Sequence, residues 1–486
     1  MIEKELNYYF KFPNEIEDRL DFVHHHPELD DLKHLDRITC FKVYKFSDDV
    51  GREPIILYIA SGSTPKGIKY VDSGVMFLGA GNIKEGKLDL AEATRIDPSY
   101  HNGVLSSSQL KRNDVLITMA GTIGRSCIFD KDEEANINQA IAKVEINTNI
   151  VIGEYLSKYL NSKYGQKGFL KHRHDVSQPN INIEEIQRIK IILPPKNVQE
   201  QIINKTKPIE DEAIDFELKA EQNLCQAGKI LSDELGVDLP RKEIGYFFKK
   251  GKADVSDYYY GFSDKIQDRF HYLFNHPKLE ILDEFKNKYQ TVLLKDICRE
   301  PIKRGEQPQY SDFGVMVIKT VDLKNRFIDY ENTLRVSEDV YESKPQAHIQ
   351  KNDVLVSSTG YVSVGKIDVF ALDEPAFADG HIAIIRPNQD YDPYFVTYFL
   401  RSPLGQIQFE KWFTGSSGQI EVQPEDLNKF LLPSKDTISK DKQKEIADKI
   451  TEEYKRAWDH EQQAHLKWQE AKELFEKLIL EDVESV

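Results

Sequence analysis

Asn113-Asp114-Val115-Leu116 is repeated as Asn352-Asp353-Val354-Leu355, and this repetition decides how the chain is divided. Two further pairs have nearly the same separation: Gly74-Val75-Met76 with Gly314-Val315-Met316, and Leu193-Pro194 with Leu432-Pro433. The separation is about 240 residues, roughly half of the chain. Repetition of such a long unit excludes a solenoid of short repeats. It predicts two similar domains, each with its own hydrophobic core.

The bulk composition is typical of a globular protein with two or three domains, since the chain has 486 residues and is 40% hydrophobic. No stretch approaches the roughly 18 apolar residues of a membrane-spanning helix. The first residues are acidic and polar, which is not typical of a signal peptide. The four cysteines are scattered and form no CxxC pair. Together these features predict a cytoplasmic protein with reduced thiols.

The net charge of −16 argues against a nucleic-acid binder, because such proteins usually present a basic surface. The charge is unevenly distributed, however. Residues 61–195 have 17 Lys and Arg against 15 Asp and Glu, whereas residues 301–434 have 13 against 19. The first repeat therefore remains compatible with DNA binding, and the acidity of the second repeat departs from that expectation.

Each repeat combines short apolar runs of strand length with a short helical pattern, which predicts an α+β unit. The predicted strands are 55–59, 114–119 and 140–144 in the first repeat, and 353–357 and 381–385 in the second. The predicted short helices are 155–160 and 394–400.

A long helix is predicted after each repeat, at 197–235 and 438–480, because the first stretch contains one proline and the second contains neither Pro nor Gly. A helix of about 40 residues spans about 60 Å, which is too long to bury its apolar face against one compact domain. We therefore expect the two helices to pack on each other, antiparallel. The predicted apolar face of the second helix consists of Ile446, Ile450, Tyr454, Trp458, Leu466 and Leu474.

An ordered series of short motifs runs through the first repeat and recurs, with drift, in the second. The series comprises Gly62-Ser63-Thr64-Pro65, Gly81-Asn82-Ile83, Gly121-Thr122-Ile123-Gly124, Asn138-Gln139-Ala140-Ile141-Ala142 and Gln178-Pro179-Asn180-Ile181. In the second repeat Gly360 and Gly365 are further apart than their counterparts, and Asp379-Gly380-His381 replaces Asn138-Gln139-Ala140. No single motif is specific, but the series covers nearly the whole chain twice. The chain therefore resembles the specificity subunit of type I restriction–modification enzymes.

The resemblance implies a fold and a set of partners. The expected fold is α+β, with two repeated α/β target-recognition domains separated by two long antiparallel coiled-coil helices in a pseudo-twofold arrangement. The expected segments are a first recognition domain at 1–195, a first spacer helix at 196–236, a second recognition domain at 237–436 and a second spacer helix at 437–486. The implied partners are double-stranded DNA with a bipartite target, two adenine methyltransferase subunits, and restriction or translocase subunits. S-adenosylmethionine, ATP and Mg are expected on those partners, and no cofactor is expected on this chain.

Basic and amide side chains in the loops are the candidate DNA contacts, because Lys and Arg suit phosphates or guanine whereas Asn and Gln suit adenine. The candidates in the first repeat are Lys66, Lys69, Arg125, Lys171, Arg173, Gln178 and Asn180. Those in the second repeat are Lys303, Arg304, Lys319, Lys366, Lys411, Ser416 and Gln419. Solvated loops explain the same residues, and the 414–418 loop is open to two interpretations, a phosphate-holding turn or a plain loop.

Enzymatic interpretations find little support in the residues. His24-His25-His26 suggests a metal site, but the counterparts of His24 and His25 are Phe274 and Asn275. Asp392-Pro393-Tyr394-Phe395 lacks the second proline of an adenine methyltransferase motif, and no GxxxxGK[ST] phosphate loop is present. We therefore expect no catalytic or metal site on this chain. The alternatives to a DNA specificity subunit are a non-catalytic assembly scaffold and a phage-defence DNA-recognition protein outside a type I system.

Overall fold

The computed structural model describes residues 29, 32, 34–91, 93–174, 179–236, 279–360, 362–416 and 419–481. The chain divides into two compact units. Unit 1 consists of residues 1–216 with 462–486, and unit 2 consists of residues 217–461. Two features considered above, the three histidines at 24–26 and Gln178, lie outside the described residues.

The first half of the chain alternates short strands and helices and then forms a long helix. Its strands are β1 (Val43–Lys45), β2 (Asp49–Val50), β3 (Glu53–Pro54), β4 (Ile56–Ser61), β5 (Tyr70–Leu78), β6 (Thr94–Ile96), β7 (Val115–Thr118), β8 (Ser126–Ile128), β9 (Ala135–Ile137), β10 (Ile141–Ile146) and β11 (Lys190–Ile192). Its helices are α1 (Leu35–Ile38), α2 (Pro98–Asn102), α3 (Gly153–Asn161), α4 (Lys163–His172), α5 (Ile183–Gln187) and the long α6 (Lys196–Leu235).

The second half repeats this order. Its strands are β12 (Thr291–Leu293), β13 (Lys303–Arg304), β14 (Tyr310–Ser311), β15 (Val315–Ile318), β16 (Leu334–Val336), β17 (His348–Ile349), β18 (Val354–Ser357), β19 (Ile367–Val369), β20 (Ala376–Ala378), β21 (Ile382–Ile385), β22 (Thr414–Ser416), β23 (Gln419–Glu421) and β24 (Leu431–Pro433). Its helices are α7 (Glu280–Lys288), α8 (Glu338–Ser343), α9 (Pro393–Arg401), α10 (Pro403–Trp412), α11 (Pro424–Leu427) and the long α12 (Lys440–Leu478).

The four-stranded sheets of the two units correspond, whereas the second sheet has three strands in unit 1 (β6-β5-β9) and five in unit 2 (β14-β16-β15-β20-β17). A four-stranded antiparallel sheet has the order β4-β10-β7-β8 in unit 1 and β13-β21-β18-β19 in unit 2. A second sheet in each unit contains one parallel pair, β5 with β9 and β15 with β20. A third, two-stranded sheet pairs β1 with β11 and β12 with β24. The predicted tandem repeat and the α+β class are therefore confirmed, and the predicted strands and short helices fall on β4, β7, β10, β18, β21, α3 and α9.

The repeated Asn-Asp pair begins the central strand of each sheet with the same tight turn. Asn113 and Asn352 have positive φ, at 74° and 70°, a conformation that Asn tolerates better than most residues. The following aspartates accept a hydrogen bond from the backbone three residues earlier, which closes the turn: Asp114 Oδ2 from the Lys111 amide at 2.8 Å, and Asp353 Oδ2 from the Gln350 amide at 2.7 Å. Both aspartates therefore end a turn.

Each unit has its own core, to which the long helices contribute. In unit 1, Phe475 and Leu478 of α12 are buried in the same cluster as Tyr155, and the rings of Tyr155 and Phe475 lie 5.5 Å apart. In unit 2, Leu231 of α6 and Ile446 of α12 share a cluster that also contains Phe285, Phe395 and Phe399. The ends of the helices are thus parts of the domain cores rather than separate appendages.

The two long helices pair antiparallel within each unit. In unit 2, Asn223 Nδ2 donates to Glu453 Oε2 at 2.6 Å, and Lys442 Nζ lies 3.0 Å from Glu234 Oε1. Residue numbers therefore rise along α6 as they fall along α12. In unit 1 the helices meet through Lys467 Nζ and Glu212 Oε2, 2.9 Å apart.

The predicted apolar face of α12 is wrong at two positions. Trp458 is 43% exposed and Leu466 is 61% exposed. The buried positions are instead small residues at seven-residue intervals, namely Ala457, Ala464 and Ala471 on α12, matched by Ala213, Ala220 and Ala227 on α6. Alanine lets two helix backbones approach closely, and a seven-residue interval is the repeat of a coiled coil. The prediction from hydrophobicity chose the large side chains Trp458 and Leu466, which lie outside the contact between the two helices.

No helix in the described part of the chain is both long enough and apolar enough to span a bilayer.

Candidate nucleic-acid interface

One end of the four-stranded sheet in unit 1 gathers the loops that carry the predicted contacts. The strand register places Ser61 opposite Ala142 and Ile141 opposite Thr118. The end of β4, the start of β10, the end of β7 and the start of β8 therefore lie side by side. We call this edge, with the loops 62–69, 119–125 and 138–140 and the residues 173–174 and 179–180, the reading end of unit 1.

The first motif of the repeat is explained by a close backbone approach at this end. A Cβ atom on Gly62 would lie 2.0 Å from the Ile137 carbonyl oxygen, so only glycine fits. Two residues later, Thr64 Oγ1 donates to Gln139 Oε1. The Gly-Ser-Thr-Pro and Asn-Gln motifs, which are distant in sequence, thus form one surface.

A chain segment after α4 completes the reading end of unit 1. Asn180 pairs with Ala120 and with His174 through backbone bridges, and its side chain is exposed. His174 Nε2 lies 2.6 Å from Glu185 Oε1. The Asn180 amide group is therefore presented to solvent beside the β7–β8 turn.

The predicted contacts of unit 1 are distributed over this end. Lys66 and Lys69 lie on the loop after β4 and are exposed. Arg125 is half-buried at the start of β8, where its amide donates to Thr118 Oγ1 at 3.0 Å. Lys171 lies in the last turn of α4 and Arg173 follows that helix, both half-buried. Every described candidate of unit 1 thus lies on these loops or on α4, which leads into them.

Unit 2 builds the corresponding edge from the same strands. A Cβ atom on Gly305 would lie 2.0 Å from the Ala378 carbonyl oxygen, which reproduces the close approach at Gly62. Lys319 is adjacent to this edge, because the Asp379 amide donates to the Ile318 carbonyl at 3.0 Å. Lys366 immediately precedes β19. We call this edge, with the residues 305–309, 358–360, 362–366 and 379–381 and the strands β22 and β23, the reading end of unit 2.

The segment after α10 in unit 2 is a β-hairpin. Its register places Ser416 opposite Gln419, and Gly360 of the β18–β19 turn donates its amide to the Ile420 carbonyl at 2.9 Å. The candidates Ser416 and Gln419 thus lie at the tip of a hairpin that adjoins the reading end. Lys411 lies in the last turn of α10, with its Nζ 5.7 Å from the Trp412 ring.

Acidic side chains accompany the basic candidates of unit 2. Arg304 donates to Glu421 Oε2 through both terminal nitrogens at 3.3 Å and to the Val422 carbonyl at 3.2 Å. Lys303 Nζ lies 3.5 Å from Glu300 Oε2. Two of the predicted DNA contacts are therefore already paired with carboxylates. Some of the acidic residues of the second repeat thus lie beside its candidate DNA-binding residues.

A family model described as the type I restriction modification DNA specificity domain matches residues 100–226 and 286–465, more than half of the chain. The chain belongs to the family of type I restriction–modification DNA specificity domains.

Individual relatives of this specificity-domain chain are distant. It is 23% identical over 139 residues to the EcoBI specificity subunit of Escherichia coli, a match that spans 29% of each protein. It is 23% identical over 334 residues to the MjaVIII specificity subunit of Methanocaldococcus jannaschii, over 67% of this chain and 69% of that one.

The solved structures that this chain resembles are distant as well. A chain from a structure concerning complex assembly and conformational transition of the type I R-M system has a TM-score of 0.44 at 13% identity, with 90% of this chain and 97% of that chain covered. The type I S subunit from M. genitalium has a TM-score of 0.40 at 13% identity, covering 90% of this chain and 96% of that one.

The specificity-domain structure also presents aromatic residues that the sequence analysis did not select. Tyr310 is 45% exposed, and burial together with Asp379 and Asp322 raises the pKa of Tyr310 above its ordinary value. The phenol therefore stays neutral near the reading end of unit 2. The repeat contains the signal, because Tyr70 occupies the same register position in unit 1: Tyr70 pairs with Ile96 as Tyr310 pairs with Val336.

The methyltransferase-like motif has a structural role. Asp392 Oδ1 accepts hydrogen bonds from the amides of Tyr394 at 2.9 Å and Phe395 at 3.0 Å, so it caps the N-terminus of α9. Among the residues that the structure describes, His, Cys, Asp and Glu form no group of three or more suited to a metal ion.

Proposed function

We propose that this chain is the sequence-specific DNA-binding specificity subunit of a type I restriction–modification system, and that each unit reads one half of a bipartite site. The observation that carries the proposal is the family match in both halves of the chain, at residues 100–226 and 286–465. The two reading ends support it, because each brings segments that carry basic and amide residues to one sheet edge. The chemistry would be performed by partner subunits, and this chain would supply recognition alone.

In unit 1 we propose two kinds of contact. Lys66, Lys69 and Lys171 suit phosphate oxygens, since long cationic side chains near a duplex bind the backbone irrespective of sequence. Arg125, Arg173 and the amides of Gln178 and Asn180 suit base edges, Arg with guanine and the amides with adenine.

In unit 2 the proposed contacts are Lys303, Arg304, Lys319, Lys366, Lys411, Ser416 and Gln419. Arg304 reaches DNA only if it leaves Glu421, which accepts two of its hydrogen bonds. Such a competing carboxylate weakens non-specific phosphate binding and makes the exchange depend on the correct base. The acidic reading end of unit 2 would then favour selectivity over affinity.

We further propose that the chain is organised as a ruler. Recognition domains at 1–195 and 237–436 would be held apart by spacer helices at 196–236 and 437–486, so that the half-site separation is a geometric constant. Two adenine methyltransferase subunits would dock along the helices, with restriction or translocase subunits beyond them. S-adenosylmethionine, ATP and Mg would be bound by those partners, and the assembly would work in the cytoplasm.

The salt dependence of duplex binding tests the proposal. The chain, with its methyltransferase partner, should bind duplexes that contain its target, and the logarithm of the association constant should fall linearly with the logarithm of salt concentration, by about 0.9 per phosphate contacted. A single-stranded oligonucleotide of the same sequence is the control. The alternative of an assembly scaffold predicts partner binding without duplex binding, and that outcome would overturn the proposal.

Lengthening a spacer helix tests the ruler. Four residues inserted within 197–235 add about one helical turn, roughly 6 Å. The methylation map of cells carrying this variant should show the same half-sites with a longer gap between them. The same four residues inserted in the exposed β2–β3 turn at Gly51 should leave the gap unchanged. An unaltered gap in the helix variant would contradict the ruler.

A further inference from the structure

The same tight turn follows the parallel strand in both units. In unit 1 the turn 84–87 is closed by the Lys84 amide, which donates to the Lys87 carbonyl at 2.9 Å. In unit 2 the turn 324–327 is closed by the Lys324 amide, which donates to the Phe327 carbonyl at 3.0 Å. Both turns contain a residue with positive φ, Gly86 at 74° and Asn325 at 63°. They are structural counterparts, although their sequences, KEGK and KNRF, share only the first lysine.

Each turn is tied to the first residues of a strand that starts at the reading end. In unit 1, the Gly86 amide donates to the Ser126 carbonyl at 2.9 Å. Ser126 directly follows Arg125, a predicted DNA contact. In unit 2, the Ile367 amide donates to Asn325 Oδ1 at 2.9 Å, and the Asn325 amide donates to Asp368 Oδ2 at 3.0 Å. Ile367 directly follows Lys366, another predicted DNA contact. A displacement of either turn is therefore passed directly to a predicted DNA contact.

The tip of the unit 1 turn rests on α12. Lys87 Nζ lies 4.3 Å from the ring centroid of Trp468, within the range of a cation–π contact. Glu85 Oε2 lies 3.6 Å from Lys472 Nζ, one helical turn further along α12.

The tip of the unit 2 turn also rests on α12, through different chemistry. The rings of Phe327 and Trp458 lie 5.0 Å apart, edge to face at 70°. Arg326 Nη1 lies 2.8 Å from Glu461 Oε1. The ion pair has the opposite polarity to that of unit 1, because the turn supplies the cation here and the anion there. Two of the three tryptophans of the chain thus serve equivalent turns.

These contacts explain why large side chains lie outside the helix pairing. Trp458 is an exposed residue of α12, and Ala457 and Ala464 occupy the buried seam instead. The tryptophans present their rings to the domain of their own unit rather than to the other helix. Large aromatic side chains outside the core leave apolar surface exposed to solvent. The contacts with the two turns explain why tryptophans are nevertheless present at these positions.

We propose that the turns 84–87 and 324–327 are positioning docks: Trp468 and Trp458 hold the reading end of each unit at a fixed orientation to the α12 segment of that unit. The inference rests on the proposed function, since orientation has meaning only if the reading ends meet DNA. One base pair of spacer rotates a half-site by about 35°. Domains held rigidly to their helices therefore reject duplexes whose spacer is one base pair too long or too short.

The test compares Trp468→Ala and Trp458→Ala with wild type, each in complex with the methyltransferase partner. Affinities are measured for duplexes with the correct spacer, with one base pair added, with one removed, and with one altered half-site base. Each variant should lose discrimination against the wrong spacers by about threefold to tenfold and keep its discrimination against the altered base. Leu466→Ala, on an exposed residue of α12 between the two docks, is the matched control and should behave as wild type.

Charge reversal provides a second, rescuable measurement. Lys472→Glu should loosen spacer discrimination, and the double variant Glu85→Lys with Lys472→Glu should restore it. Lys444→Glu changes the charge of α12 equally at an exposed site paired with Asp448, away from both turns, and should have no effect. Retained spacer discrimination in both tryptophan variants overturns the docks, as does a change in base preference without a change in spacer preference. Absence of duplex binding by wild type is a different result, because it overturns the proposed function itself.

Discussion

At the scale of single residues, the repeated aspartate shows how one motif serves two different surroundings. Asp114 is buried with Lys143 Nζ 4.0 Å away, and its burial raises the pKa of Asp114 above the ordinary value. Asp353 is fully buried and accepts two hydrogen bonds at 2.7 Å from Arg386. Hydrogen bonding to Asp353, and secondarily to Glu300, raises the pKa of Arg386, so the guanidinium remains charged. The turn is the same in both units, but the basic partner of the aspartate is Lys143 in unit 1 and Arg386 in unit 2.

Removal of Asp353 should therefore be costly. Asp353→Ala leaves Arg386, 5% exposed, as a buried charge with one remaining carboxylate partner, and should lower the free energy of unfolding of unit 2 by about 3 kcal/mol. Denaturant titration followed by tryptophan fluorescence measures the loss. Glu452→Ala, which removes one of the two carboxylate partners of the exposed Arg456, should change stability by less than about 1 kcal/mol. Equal effects of the two substitutions would show that the buried pair contributes no more than a surface one.

At the scale of elements, the positions and pairing of the long helices could be predicted from the sequence, but the residues in contact between them could not. Their positions followed from a single proline in 197–235 and from the absence of Pro and Gly in 438–480, and their antiparallel pairing followed from length alone. The residues that form the contact between the two helices were not predicted. A hydrophobicity pattern ranks Trp458 and Leu466 above Ala457 and Ala464, although the alanines are the buried residues. A seven-residue spacing of alanines on both helices is the signal that would have located this contact.

Enlarging one seam alanine should separate the helices. Ala464→Leu adds three carbons at a position that is 3% exposed, and overpacking of this kind costs about 1–3 kcal/mol. Thermal unfolding followed by circular dichroism at 222 nm should show a lower midpoint. Leu466→Ala removes a larger side chain two residues away, at an exposed position, and should leave the midpoint within a few degrees. A stabilised Ala464→Leu variant would mean that the helices are not in close contact there.

The other elements were predictable where a local pattern decides the structure. The Asn-Asp turn, the strands that follow it and the glycines of the β7–β8 turn, with φ of 75° and 85° at Gly121 and Gly124, are local. The reading ends are not, because they depend on strand register. Thr64 meets Gln139 only through the pairing of β4 with β10. The engagement of Arg304 by Glu421 crosses more than a hundred residues and had no sequence signal.

At the scale of the whole molecule, the two units have corresponding four-stranded sheets but differ in the charge of their reading ends. The reading end of unit 1 exposes Lys66 and Lys69, whereas Arg304 of unit 2 is paired with Glu421. If both ends meet one duplex, most of the electrostatic attraction should come from unit 1. Unit 2 should contribute mainly discrimination between bases.

This division of labour is measurable. The double variant Lys66→Ala and Lys69→Ala should weaken duplex binding at all sequences alike and reduce the salt slope by about one to two. Arg304→Ala should change the slope little and relax base preference in one half-site. Lys435→Ala removes an exposed lysine paired with Asp390 outside the reading ends, and should change neither quantity. A larger slope change from Arg304→Ala than from the lysine pair would reverse the assignment.

The contribution of α12 to the core of unit 1 has a consequence for biosynthesis. The ribosome delivers unit 2, residues 217–461, as one uninterrupted stretch, but unit 1 waits for residues 462–486. Phe475, Leu478 and Ile479, which lie in the core of unit 1, emerge only after the whole of unit 2 has been made. Most multidomain chains fold their N-terminal domain first during synthesis. Here the domain that is begun first is closed last, and a transcript cut short after residue 461 yields a finished second unit beside an open first one.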